Sequence, residues 1–216
     1  MTEAVFFDLD GTLADTALDL GGALNSLLRS KGLPEKSMDE IRPVASHGSA
    51  AFIKLGAGIT PDHPDFQTWR QAYLDEYGRC FDRETVLFEG IDALLVDLNR
   101  RGIKWGIITN KHAAFTDRLV PRLNFTVPPT VVVSGDTCAE PKPSVLPMLY
   151  ACERAGVRPE NCVYVGDAER DMQAGRKAGM KTALADWGYI APEDTPENWP
   201  FDIRIGTPSA LLDWLV

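Results

Sequence analysis

The sequence predicts an α/β protein with a doubly wound parallel sheet and one inserted helical segment. Short apolar runs rich in β-branched and aromatic residues recur along the chain, which is typical of strands buried on both faces. Amphipathic segments of helical length alternate with these runs, and such alternation indicates a parallel sheet covered by helices on both sides. One gap between consecutive runs is far too long for a single crossover, which indicates an insertion.

The strands and core helices can be placed by pattern. Five strands are predicted, in chain order, over residues 4–7, 105–109, 131–134, 163–166 and 182–185. Residues 90–101 carry Ile91, Leu94, Leu95 and Leu98 on one stripe, which predicts an amphipathic helix. A second core helix is expected over residues 171–178.

The long gap after the first strand is predicted to be helical. Thr16 followed by Asp19 resembles a capping box that begins a helix running through Leu28, and residues 66–77 carry an aromatic stripe at helical spacing. We therefore expect a core of residues 1–14 and 84–216 and a helical segment of residues 15–83, called the insertion below. The insertion should lie above the carboxyl ends of the strands, where open α/β sheets bind ligands.

Charge and composition narrow the classes of function. Among 216 residues, 22 are Lys or Arg and 31 are Asp or Glu, and this net charge of -9 disfavours nucleic acid or an anionic membrane as a partner. The amino terminus lacks the features of a secretory signal peptide. We therefore expect a cytoplasmic location. The four cysteines show no metal-binding or disulfide spacing, so we expect reduced thiols. We also expect a small-molecule partner and a monomer or homodimer.

Two acidic clusters follow predicted strands. Asp8 and Asp10 alternate at the end of the first strand and can project into one space, and Gly11 permits a tight turn after them. Asp167 and Asp171 follow a later strand with helical spacing. Oxygen ligands at this density suit Mg²⁺. The alternatives are an acidic turn at the first cluster and stabilisation of a helix start at the second.

Two other segments could hold an anion. Thr109 and Asn110 follow a strand and offer a hydroxyl and backbone N–H groups for phosphate oxygens. Lys142 lies between two prolines that restrict the chain, so its ammonium could point at an anion. A hydroxyl that closes a turn and a solvated surface amine are the alternatives. Together, the four segments present the residue types that one phosphate site requires.

The order of these motifs resembles that of the haloacid dehalogenase (HAD) superfamily over the whole chain. The family pattern places DxDG[TV] on strand one, a Thr or Ser on strand two, a Lys before a helix and GDxxxD last. Asp8 to Thr12, Thr109, Lys142 and Gly166 to Asp171 match this pattern in order. The resemblance implies a Rossmann-like core, and the insertion is similar to the family's C1-type cap.

The resemblance also implies roles for individual residues. Asp8 would be the nucleophile that forms an aspartyl-phosphate, and Asp10 the general acid and base. Mg²⁺ would be held by Asp8, Asp10, Asp167 and Asp171. Asp10 would contribute its carbonyl, and Asp171 would either bind the ion directly or orient the residues that do. The phosphate site would consist of Asp8, Gly11, Thr109, Asn110 and Lys142.

Within the family, DGTLADT, ITNKHAAF and the C1-type insertion look most like phosphoglycolate phosphatases. The segments RPVASHG and WGYIAPEDTPENW resemble bacterial N-acetylmuramic acid 6-phosphate phosphatases. Either substrate offers a carboxylate, for which Arg42 and His47 are candidate partners, and Tyr189 could border the site and face a sugar. A dehalogenase would lack Asp10, and a sugar-phosphate mutase would carry His where this chain has Leu20. A catalytically idle phospho-receiver would need no insertion.

Overall fold

The computed structural model describes residues 1–215, and its main sheet has six parallel strands in the order β5-β4-β1-β6-β7-β8. A separate antiparallel pair, β2 and β3, connects the core to the insertion. The strands are β1 Ala4–Phe7, β2 Ala14–Asp15, β3 Val86–Leu87, β4 Lys104–Ile108, β5 Val131–Val133, β6 Cys162–Gly166, β7 Lys181–Ala185 and β8 Ile203–Ile205. The predicted fold class is confirmed.

Nine α-helices are found in the described part of the chain. They are α1 Ala17–Ser30, α2 Met38–Ile41, α3 Gly48–Ala57, α4 Phe66–Cys80, α5 Ile91–Arg100, α6 Ala113–Leu119, α7 Leu146–Ala155, α8 Glu169–Lys177 and α9 Ala210–Trp214. The first four lie in the insertion, where a 3₁₀ turn, Arg42–His47, joins α2 to α3. The division into two domains stays a prediction. None of the helices over residues 1–215 combines the length and the apolar character that a membrane crossing requires.

The central strand shows why the predicted runs are apolar throughout. In β1, Val5 and Phe7 belong to one hydrophobic cluster and Ala4 and Phe6 to a second, and all four are fully buried. Because alternate side chains of a strand point to opposite faces, this division means that helices cover both faces of the sheet. The first cluster continues into the insertion, so the core and the insertion share one apolar interior.

Some details differ from the sequence-based expectations. The short strands β2, β3 and β8 were not predicted, since runs of two or three residues carry little periodicity. The capping box at Thr16 and Asp19 is wrong, although α1 does begin there. The Thr16 hydroxyl instead donates a 2.7 Å hydrogen bond to Oδ1 of Asp10, which leaves Asp19 free for a different partner.

Asp19 joins the start of the insertion to its end. Its buried carboxylate accepts hydrogen bonds from the backbone N–H groups of Glu84 and Thr85 and from the Thr85 hydroxyl, at 2.7–3.1 Å. The two chain segments that leave and re-enter the core are thereby held side by side. A buried carboxylate with several donors is costly to remove, because each donor then loses its partner.

We expect Asp19→Ala to lower the free energy of unfolding by about 2 to 3 kcal/mol in urea titrations, because three donors lose a buried acceptor. Asp92 is a matched control, since its carboxylate accepts hydrogen bonds from the N–H and the hydroxyl of Thr126, at 2.9 and 2.6 Å, on the exposed surface. Asp92→Ala should cost about 1 kcal/mol or less, since water replaces the lost acceptor. Equal losses in the two variants would contradict the role of Asp19.

Candidate active site

Three buried polar residues meet at the carboxyl ends of neighbouring strands. Asp8 follows β1, Thr109 follows β4 and Asp167 follows β6, and β1 pairs with both other strands. Each of the three is at most 3% exposed. After β1 the chain adds β4 and β5 on one side and then crosses to add β6, β7 and β8 on the other. The site therefore lies at a switch point of the sheet, where a crevice forms.

Asp8, Asp167 and Asp171 form a compact carboxylate cluster. One oxygen from each residue lies within 4.8 Å of the others. The ammonium of Lys142 lies 3.0 Å from Oδ1 of Asp8 and 2.8 Å from Oδ1 of Asp171. The structure therefore brings together two of the predicted acidic segments and the predicted lysine.

The three carboxylates are in different electrostatic environments. Burial would raise the pKa of Asp8, but Lys142 and Arg170 outweigh burial and hold this pKa below its ordinary value. Burial, together with the charges of Asp8 and Asp171, raises the pKa of Asp167 to about 7. Asp167 forms no ion pair with any described residue, whereas Asp8 and Asp171 both contact Lys142.

This donor set fits a divalent cation. Buried carboxylates at this spacing repel one another, and Lys142 and Arg170 together neutralise only part of their charge. Oxygen ligands of this kind are those that Mg²⁺ prefers. The carboxylate of Asp10 is not part of the cluster, and its contribution through the carbonyl stays a prediction. Asp171 also accepts a 3.1 Å hydrogen bond from the backbone of Ala168, so it orients the start of α8 as well.

Asp10 is held by two residues that the sequence analysis did not assign to the site. Its Oδ1 accepts hydrogen bonds from the Thr16 hydroxyl at 2.7 Å and from the Lys111 ammonium at 2.9 Å. Lys111 also lies over the ring of Tyr77 in α4, with its nitrogen 4.7 Å from the ring centre. Lys111 is two residues after Thr109, and this alternation at a strand end is the signal that could have found it.

Lys142 is buried and not a surface amine. The residue is 2% exposed, and its ammonium also donates to the Ile108 carbonyl at 2.9 Å and to the Tyr164 hydroxyl at 2.7 Å. The side-chain amide of Asn110 forms two 2.9 Å hydrogen bonds with the backbone of Lys142. Asn110 therefore connects the loop after β4 to the segment that carries the lysine.

Gly11 lies where the loop after β1 passes closest to Asp167. Its φ is +81°, a region that favours glycine, and a Cβ there would lie 2.2 Å from Oδ2 of Asp167. The Thr12 hydroxyl is 3.4 Å from Oδ1 of the same carboxylate. The turn after β1 therefore packs directly against the carboxylate cluster.

Arg42 and Tyr189, two of the three candidates for substrate contact, already have partners within the chain. Arg42 forms a bidentate ion pair with Asp15 and lies over the ring of Tyr189. Tyr189 is only 2% exposed, and its hydroxyl accepts from the backbone N–H groups of Thr16 and Ala17. Arg42 and Tyr189 thus hold the insertion to the core. His47 is exposed and lines a small cavity beside Asp167.

A larger cavity of about 830 Å³ opens between the core and the insertion. Its walls include Asp8, Asp10 and Thr109 from the core. From the insertion they include apolar and aromatic residues, among them Leu20, Tyr73 and Tyr77. Two further polar residues, Arg170 and Ser46, line both cavities, and the sequence analysis identified neither.

Comparisons with known proteins agree with this geometry. A family model described as haloacid dehalogenase-like hydrolase matches residues 5–185. The chain is 36% identical over 213 residues to the N-acetylmuramic acid 6-phosphate phosphatase of Pseudomonas aeruginosa, covering 99% of this chain and 94% of that protein. It is 39% identical over 208 residues to the phosphoglycolate phosphatase of Xanthomonas campestris pv. campestris, covering 96% and 94%.

The solved structures show the same fold. A haloacid dehalogenase-like family hydrolase from Streptococcus pneumoniae matches with a TM-score of 0.79 at 23% identity, covering 100% of this chain and 99% of that one. The match extends over the core and the insertion together.

The close approach of Gly11 to Asp167 predicts a difference between two glycine variants. Gly32 also has positive φ, +68°, but a Cβ there meets no atom within 4 Å. Gly32→Ala should therefore cost only the backbone strain, about 1 kcal/mol in urea unfolding. Gly11→Ala should cost about 1 to 3 kcal/mol more, since the new methyl group must displace a carboxylate held by three donors.

The same pair of variants tests the fit of the cluster to a cation. If the cluster binds Mg²⁺, Gly32→Ala should keep a Mg²⁺-dependent rise in Tm, whereas Gly11→Ala should lose it. Matching behaviour of the two variants in both measurements would show that Gly11 is not needed for the cluster's geometry.

Proposed function

The chain belongs to the haloacid dehalogenase-like hydrolase family, and we propose that it is a Mg²⁺-dependent phosphatase that hydrolyses a small-molecule phosphate monoester through an aspartyl-phosphate. The observation that carries this proposal is the position of Asp8. Its carboxylate lies in a buried cluster, faces the large cavity and is kept ionised by Lys142 and Arg170. An ionised carboxylate at the floor of a crevice is suited to nucleophilic attack.

The metal proposal rests on the carboxylate cluster. Asp8, Asp167 and Asp171 would hold Mg²⁺, with the Asp10 carbonyl as a further ligand. When bound, Mg²⁺ would offset the carboxylate charge and stabilise negative charge on the phosphoryl oxygens. The unpaired Asp167 carboxylate supports this role, because burial of an anion without a cation is unfavourable.

Asp8 would attack phosphorus, and the bond between phosphorus and the ester oxygen would break. Oδ1 of Asp8 is oriented by the backbone N–H of Leu9 at 2.8 Å and by Lys142 at 3.0 Å. The hydroxyl of Thr109, the N–H groups near Asn110 and the Lys142 ammonium would bind the phosphoryl oxygens. These donors are fixed before substrate arrives, which reduces the cost of orienting them.

Asp10 would transfer the protons. It would give a proton to the leaving oxygen and then accept one from the water that hydrolyses the aspartyl-phosphate. Thr16 and Lys111 both contact its Oδ1, and Oδ2 has no hydrogen bond to a described residue. Since Asp10 lines the large cavity, this second oxygen is the one available to the substrate.

We propose N-acetylmuramic acid 6-phosphate as the preferred substrate over 2-phosphoglycolate. A cavity of about 830 Å³ is within the range of pockets that enclose whole small molecules, and phosphoglycolate is far smaller than a sugar phosphate. The aromatic side chains of Tyr73, Tyr77 and Phe115 line the cavity and suit the apolar face of a sugar ring. The chain is similar to enzymes named for each of the two substrates, so the choice between them rests on the cavity.

Arg70 is our candidate partner for the substrate carboxylate. Six cationic residues line the cavity: Arg70, Arg79, Lys111, His112, Arg118 and Arg170. Five of them already have an ion pair or a hydrogen bond within the described chain. Arg70, on α4, is exposed and has no such partner among the described residues, so its guanidinium is available to a ligand.

The two alternative functions, a sugar-phosphate mutase and a catalytically idle phospho-receiver, have less support. Leu20, where a sugar-phosphate mutase would carry a histidine, is an apolar part of the cavity wall. A catalytically idle phospho-receiver would need neither the insertion nor the cavity that lies between the insertion and the core. The cytoplasmic location and the monomeric or homodimeric state stay predictions.

The nucleophile is tested by Asp8→Asn. We expect kcat to fall about a thousandfold or more, because an amide cannot form the phosphorylated intermediate. Circular dichroism and a cooperative urea transition would show that the fold persists. Turnover near the wild-type rate would remove Asp8 from the mechanism.

Asp10→Asn is the companion variant in that experiment. With p-nitrophenyl phosphate, the leaving group departs without a proton, so Asp10→Asn should still be phosphorylated. Nitrophenolate should then appear in a single burst without continued turnover, because water lacks its general base. Steady turnover by this variant would exclude Asp10 as that base.

The substrate is tested by comparing kcat/KM for N-acetylmuramic acid 6-phosphate, 2-phosphoglycolate and N-acetylglucosamine 6-phosphate, which lacks the carboxylate. The muramic compound should be preferred. Arg70→Ala should lower its kcat/KM about tenfold, because a charge-assisted hydrogen bond is lost. The same variant should hydrolyse N-acetylglucosamine 6-phosphate as well as wild type does, and equal losses on both sugars would exclude carboxylate recognition by Arg70.

A further inference from the structure

Ser46 brings the insertion into direct contact with the carboxylate cluster. Its hydroxyl donates a 2.7 Å hydrogen bond to Oδ2 of Asp167, across 121 residues of sequence. Ser46 is 8% exposed and belongs to the 3₁₀ turn between α2 and α3. The other hydrogen bonds to Asp167 come from the core, namely from the Tyr189 N–H at 2.9 Å and the Thr12 hydroxyl at 3.4 Å.

A second set of contacts connects the same turn to Asp167 through Tyr189. The Tyr189 hydroxyl donates to Oδ1 of Asp15 at 2.7 Å, and Asp15 forms the ion pair with Arg42. Arg42 is the first residue of the turn that contains Ser46. The turn is therefore held to Asp167 directly through Ser46 and indirectly through Arg42, Asp15 and Tyr189.

The hydrogen bonds orient the Asp167 carboxylate. Oδ2 accepts hydrogen bonds from Ser46 and Tyr189, whereas the long contact with Thr12 is the only one that Oδ1 makes with a described residue. Fixing one oxygen in this way leaves the other available to a cation in a defined direction. Residues that hydrogen-bond a ligating carboxylate typically contribute ten- to hundredfold to metal affinity.

We propose that Ser46 is a positioning residue that couples the seating of the Arg42–His47 turn on the core to the binding of a divalent cation at Asp167. The coupling is reciprocal: a seated turn raises the affinity for the cation, and the bound cation favours the seated turn. This inference rests on the proposed Mg²⁺ dependence of the enzyme.

The test compares Ser46→Ala with Ser26→Ala. Ser26 is a matched control, because its hydroxyl also donates a 2.7 Å hydrogen bond to a carboxylate, that of Glu76, but within the insertion and away from the cluster. The Mg²⁺ dissociation constant of each full-length protein is obtained from the rise of Tm with MgCl₂ concentration. We expect it to increase about tenfold or more in Ser46→Ala and to stay within about twofold of wild type in Ser26→Ala.

Hydrogen exchange of residues 42–57 supplies a readout that a merely structural role would not change. Mg²⁺ should slow exchange there in wild type and in Ser26→Ala but not in Ser46→Ala. Wild-type Mg²⁺ affinity in Ser46→Ala, or no effect of Mg²⁺ on this segment in wild type, would overturn the inference while Mg²⁺-dependent hydrolysis persisted. Absence of any Mg²⁺ binding to wild type would overturn both the inference and the proposed metal dependence.

Discussion

The mutual repulsion of three buried carboxylates is the constraint on which the rest of the site depends. Asp8, Asp167 and Asp171 each present an oxygen within 4.8 Å of the others, and all three side chains are almost fully buried. Such an arrangement is stable only if cations and hydrogen-bond donors surround it. The buried Lys142 contacts two of the carboxylates at once, and its single charge offsets part of theirs. Among residues 1–215, only uncharged donors contact Asp167, and this imbalance favours a bound cation.

The topology of the sheet explains how residues so distant in sequence meet. Because β1 lies between β4 and β6, the three strands end side by side and deliver Asp8, Thr109 and Asp167 to one crevice. Apolar packing on both faces makes these strand ends rigid. The strand ends can therefore hold these polar residues at short separations that a flexible loop would not maintain.

The core residues of the site could be predicted from sequence because each is placed by a strand end. Asp8, Thr109 and Asp167 all follow apolar runs that can be recognised locally. Ser46 and Thr16 could not be found in this way, since their partners depend on how the insertion packs against the core. No periodicity in residues 15–83 specifies that packing.

Arg42 also shows that the partners of a residue in the insertion cannot be predicted from the sequence. An arginine in the insertion was a reasonable candidate for binding a substrate anion, but Asp15 already supplies a carboxylate to it. Asp15 is itself held by the hydroxyl of Tyr189, whose backbone N–H contacts Asp167. A charge that looks available in the sequence is thus used to attach the insertion to the core. Arg70 is the proposed partner of the substrate carboxylate because its guanidinium lines the cavity and is not committed to a described residue. Under the proposed function, the core would carry the chemistry and the insertion would select the substrate. The hydrogen bond from Ser46 to Asp167 joins these two parts of the chain directly.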